Sequence, residues 1–98
     1  MSTSHQIRKN EAAKRYEMDV DGKIAYIDYA MAPDKIFLTH TEVPESLEGQ
    51  GIGSKMVKLV LEEVKQSGKA LMPLCPFVAS YIRKHPEWKE IVAPGINL

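Results

Sequence analysis

The hydrophobic period changes once along this chain, and the change falls on a glycine-rich stretch. Up to Val43 apolar residues tend to recur at every second position, and from Ile52 onward they recur at roughly every third or fourth. Between the two lies Glu48-Gly49-Gln50-Gly51-Ile52-Gly53, which holds three glycines in five positions directly before the best helical pattern of the chain. A sequence of this kind joins a β-meander to a helix through a loop, which places it in the mixed α/β (α+β) class.

The residues on either side give the elements. In Tyr16-Glu17-Met18-Asp19-Val20 apolar and acidic side chains alternate, as in a strand with one buried face. Asp21-Gly22 follows, and a two-residue Asp-Gly turn supplies the positive φ angles of a tight hairpin. Lys23 to Met31, rich in β-branched and aromatic residues, is the next strand, and Ala32-Pro33-Asp34-Lys35 is a second turn. Ile36 to Val43 is a third strand, and a short extra one is expected near His5 to Arg8.

From Ile52 onward, residues Ile52, Met56, Leu59, Val60 and Val64 share one helical stripe, with Lys55, Lys58, Glu62, Glu63 and Lys65 mostly outside it. Ser67-Gly68 ends that helix. Lys69 to Leu74 then reads as a strand, parallel to Ile36 to Val43 because a helix separates the two. Pro76, after Cys75, suits the first position of a second helix, which His85-Pro86 terminates. The tail from Glu87 is weakly patterned.

Composition narrows the function. Residues 1–98 suffice for one domain, and thirteen basic side chains balance thirteen acidic ones, so neither nucleic acid nor an anionic membrane is an expected partner. No apolar run approaches the ~20 residues of a membrane helix, and Met1 to Asn10 lacks a signal-peptide core, so a cytoplasmic location is expected. The single cysteine, Cys75, excludes an internal disulfide and a cysteine-built zinc site.

A glycine-rich loop between a strand end and a helix start lets backbone N–H groups converge at the positive end of the helix dipole, a geometry suited to phosphate. Two common phosphate loops are excluded. A P-loop requires Gly-Lys followed by Ser or Thr, but here Ser54 precedes Lys55 and Met56 follows it. The dinucleotide pattern G-x-G-x-x-G would need glycine at Ser54 or at Met56. On form alone, the glycines serve equally well as a tight turn that permits close packing.

The stretch from Val43 through Pro44, Glu45, Ser46, Leu47, Glu48, Gly49, Gln50, Gly51 and Ile52 to Gly53 resembles the acetyl-CoA-binding motif of the GNAT acetyltransferases, Q/R-x-x-G-x-G/A, in its strand-loop-helix setting. With "PLCPF" and "HPEW" the chain resembles the small stand-alone YjdJ-type domains of that superfamily, from Tyr16 to Val92. The resemblance implies an acetyl-CoA-dependent N-acetyltransferase in which the amides of Gly49, Gly51, Ile52, Gly53 and Ser54 hold the coenzyme A pyrophosphate. It also implies that the pantetheine arm lies in a splay between the two parallel strands, beside the main chain of Thr41 to Val43. Lys55 and Lys58 would screen phosphate charge or remain solvated. The Gln or Arg of the motif is replaced here by Glu48, so phosphate contacts would rest on backbone amides.

Acyl transfer to an amine needs a base for the amine and an acid for the leaving thiolate. His40 and Glu42, two residues apart on one strand, share a face and are candidates for the base, against a structural role for a strand histidine. Tyr81 falls on the second helix, where many GNAT enzymes carry a tyrosine acid; its alternative is packing beside Phe77. Cys75, at a helix N-terminus, would gain acidity from the dipole, and the resembling family places a cysteine here. It is either near the coenzyme thiol, as an acyl acceptor or in a mixed disulfide, or a small buried apolar residue. Longer GNAT enzymes build an acceptor site from elements for which this chain has little room. A homodimer and an open site taking a protein lysine or a polyamine are both admissible, as is a noncatalytic acyl-CoA-binding module.

Overall fold

The computed structural model describes residues 6–98. Five strands form one sheet in chain order: β1 (Ile7–Asn10), β2 (Arg15–Val20), β3 (Lys23–Met31), β4 (Lys35–Glu42) and β5 (Ala70–Pro73). The first three neighbouring pairs are antiparallel and β4–β5 is parallel, joined by helix α1 (Ile52–Ser67). Helix α2 (Pro76–Lys84) and a 3₁₀ segment (Pro86–Ile91) follow. The expected mixed architecture is therefore present, with Val20 opposite Lys23 across the Asp21-Gly22 turn, whose φ angles are 52° and 78°.

The first strand lies slightly later than the sequence indicates, at Ile7–Asn10, and the part of that expectation falling on His5 lies outside the described residues. Its turn carries no glycine or proline signal. Instead the Asn10 side-chain oxygen accepts the Ala13 N–H at 3.0 Å, and Lys14 takes the left-handed conformation, φ 56°.

Alternation fixes the two faces of the sheet. Tyr16, Met18, Ala25, Ile27, Tyr29, Ile36, Leu38 and Leu71 are buried on the helix side. The other face carries Arg15, Tyr26, Asp28, Phe37 and Met72, only partly buried, with one exception. Glu17 is 3% exposed there, because Arg15, Arg8 and Asn10 surround its carboxylate.

Helix α1 buries Ile52, Met56, Val57, Val60, Leu61 and Val64. Val57 and Leu61 lie outside the expected stripe, and Leu59, expected on it, is only partly buried. The buried face is wider than one stripe because α2 and the 3₁₀ segment pack on the flank of α1. Lys65 Nζ reaches Glu90 Oε2 at 2.8 Å, and the Ala93 N–H donates to the Leu71 carbonyl at 2.9 Å, so the weakly patterned tail closes against α1 and β5. Among the described residues no helix is long and apolar enough to cross a membrane.

Candidate functional site

The site begins where β4 and β5 part. The two strands pair from Lys35 opposite Ala70 to Leu38 opposite Pro73, whereas β4 continues against β3 as far as Glu42. Pro73 has no N–H to extend the ladder, and the Leu74 N–H turns back onto the Met72 carbonyl at 3.0 Å. Pro76 then holds Cys75 extended, φ −76° and ψ 127°, and starts α2. The last main-chain bond across the join is Cys75 N–H to the Leu38 carbonyl, 2.9 Å; beyond it the main chain of β4 is unpaired on the β5 side and the two strands form a wedge.

A β-bulge orients the side chains at this wedge. Asp28 is opposite His40 and Tyr29 opposite Leu38, so Thr39 is the extra residue, and its hydroxyl donates to the Asp28 carbonyl at 3.3 Å. The bulge inverts the alternation set by Ile36 and Leu38. Thr41, paired with the core residue Ile27, turns toward the helix side, and its Oγ1 lies 3.2 Å from Cys75 Sγ. His40 and Glu42 share the opposite face, as the sequence implies, with His40 Nε2 3.0 Å from Glu42 Oε1. Both are more than half exposed.

The floor is the loop from Val43 to Gly51. A 3₁₀ turn, Glu45–Leu47, buries Leu47 and so ties the loop to the core. Gly49 and Gly51 have φ of 86° and 74°, and a Cβ at either would meet nothing within 4 Å. Glycine is favoured there by the left-handed backbone, not by crowding. Gly51 caps α1 with no side-chain bond, and the first amide bonded back to this end is Lys55 N–H to the Gly51 carbonyl, 3.0 Å. The amides of Ile52, Gly53 and Ser54 precede it at the positive end of the helix, with no acidic side chain in the first turn.

Together these parts enclose an open cleft of about 340 Å³. Seven of the eight expected cofactor residues line it: Thr41, Val43, Gly49, Gly51, Ile52, Gly53 and Ser54. The eighth, Lys55, is exposed one position further along α1. Glu42 and Glu48 also border the cleft, so its anion-binding capacity rests on main-chain amides. Those amides and the unpaired strand edge fit a coenzyme with a phosphate end and an amide-bearing arm.

Two residues of the wall are absent from the sequence-based set. Leu47 anchors the loop, and Phe77, on the first turn of α2, lines the cleft while 43% exposed. The remaining candidates stand back from it. Cys75 is buried behind Thr41, at 3% exposure. Tyr81 lies a turn beyond Phe77, its ring 4.3 Å from that of His85. Burial, and then the charge of Glu87, hold its phenol above the usual tyrosine range, against a hydrogen bond with Trp88.

The architecture is a mixed α+β fold, a five-stranded sheet whose one parallel pair splays beside a glycine-rich helix N-terminus. The GCN5-related N-acetyl-transferase family profile matches residues 15–91, most of the chain, and the chain belongs to that family. Its structure is similar to the NMR solution structure of a GCN5-like protein from Staphylococcus aureus, with a TM-score of 0.71 and 23% identity, covering 98% of this chain and 94% of that one. That likeness concerns the fold. A comparison with curated proteins gives no match.

Proposed function

We propose that the protein is an acetyl-CoA-dependent N-acetyltransferase acting on a primary amine. One observation carries this reading: the wedge between β4 and β5 opens directly onto the free amides at the start of α1, so one cleft offers an anion cradle and an unpaired strand edge in sequence. Bound acetyl-CoA would supply an electrophilic thioester carbonyl and a thiolate leaving group.

The chain's own groups take the remaining tasks. Main-chain amides at Gly49, Gly51 and Ile52 to Ser54 bind the pyrophosphate, and main-chain groups from Thr41 to Val43 align the arm. Lys55 adds positive charge near the first turn. Glu42 orients His40 through Nε2, leaving Nδ1 to accept the proton of the attacking amine. Tyr81, on α2 a turn beyond Phe77, is assigned as the donor to the departing thiolate. Direct transfer is favoured over a route through Cys75, whose sulfur faces Thr41 and is almost fully covered. Glu48 at the cleft favours a second reading, a coenzyme-A-binding module without catalysis.

Calorimetric titration with acetyl-CoA and CoA tests the cofactor, beside a Gly51→Val variant that combines a strained φ with a side chain in the cradle. Release of free thiol with a panel of primary amines, including a polyamine and a lysine peptide, tests transfer. Binding with no release for any amine supports the module. No binding at millimolar ligand removes both readings.

A further inference from the structure

Phe77 is a large aromatic side chain left 43% exposed, and it is the one exposed large apolar residue among the described residues that lines the cleft. Its ring is nevertheless seated. A Cβ built on Gly53 would lie 2.6 Å from Phe77 Cζ, 3.2 Å from Cε1 and 3.4 Å from Cε2, so the tip of the ring rests on the glycine itself. The backbone of Gly53 is not left-handed and would accept alanine. Glycine at this position is explained by the ring, unlike Gly49 and Gly51, whose backbone explains them.

The cleft therefore has two unlike walls. One is the main chain of Thr41 to Val43, which offers hydrogen-bonding groups; the other is an aromatic ring beside Gly53, whose own amide belongs to the anion cradle. An arm of alternating amides and methylenes, attached to a phosphate, matches both walls at once: amides toward the strand, methylenes toward the ring.

Resting on the coenzyme A reading above, we propose that Phe77 is the positioning residue for the pantetheine arm and that Gly53 is its seat, coupling the grip on the arm to the phosphate cradle. Removing the ring then weakens binding of the arm and spares the nucleotide.

The test is titration of CoA and of 3′-phospho-ADP, the nucleotide half without the arm, into the native protein, Phe77→Ala, Phe77→Leu, Gly53→Ala and the double variant Gly53→Ala with Phe77→Ala, each checked by thermal melting. Phe77→Ala is expected to weaken CoA about tenfold and to leave 3′-phospho-ADP within about twofold, and Phe77→Leu to recover most of the loss. Gly53→Ala, which displaces the ring, should weaken CoA in the native background and add nothing once the ring is gone. Unchanged CoA binding in Phe77→Ala, or equal loss of both ligands, overturns the assignment while leaving the cofactor reading intact. Failure of the native protein to bind CoA overturns both.

Discussion

Gly51 and Gly53 stand two positions apart and are glycine for different reasons, one for backbone conformation and one for the ring it carries. The difference is measurable. Gly51→Ala places a methyl group in open space on a left-handed residue and should lower stability by about 1–2 kcal/mol in a denaturant titration, with the fold retained. The strand-loop-helix order of the chain was enough to indicate most of the cleft, because Thr41, Val43 and the loop residues are contiguous or nearly so. Phe77 was not legible in that way. An aromatic residue at the start of a helix reads as core, and its meaning depends on Gly53, which lies in another element. The orientation of Thr41 was equally hidden, since a bulge at Thr39 leaves no hydrophobic signature and yet reverses which side chains face the helices.

At the level of elements, α1 shows how tertiary packing widens a pattern. A single stripe leaves out Leu61, whereas the structure buries it completely. Leu61→Ala is expected to destabilise the fold by about 2–5 kcal/mol, and exposed Lys58→Ala, on the same helix, by less than about 0.5 kcal/mol, both read from urea melts. Strongly periodic elements were visible from sequence because burial on one face imposes their period. The β1–β2 turn and the C-terminal tail were less so, for they are set by one asparagine side chain, one left-handed lysine and single bonds to distant partners.

For the whole molecule, the buried groups Glu17 and Tyr16 contribute at opposite ends of the pH range. Arg15 first, then Asn10 and Arg8, hold the Glu17 carboxyl below its ordinary range against the opposing effect of burial. A depressed carboxyl contributes stability above its unfolded value, and that contribution is lost as the pH falls through the folded one. Tyr16 behaves in the opposite sense: burial, then the charges of Glu63 and Tyr29, push its phenol up to about 12. Its contribution is complete below the ordinary value near 10 and disappears as the pH rises from there toward 12. Melting temperature against pH should thus fall at both ends. Glu17→Gln should make the acid limb shallower and Tyr16→Phe the alkaline one, where Tyr29, also raised by burial, leaves a remainder.

The strands lie side by side in the order in which they occur in the chain, and this shapes how the molecule assembles. From β1 to β4 each strand can add to its predecessor as a hairpin, a succession of short loop closures. The join of β4 to β5 spans all of α1 and is, among the described residues, the strand pairing of longest sequence separation. Pulse-labelled hydrogen exchange should find the β5 amides protected later than those of β2 and β3. The cleft lies at that join. Its two strands close over the longest intervening segment of the sheet, so a ligand bridging β4 and α1 would brace the join that costs most to close.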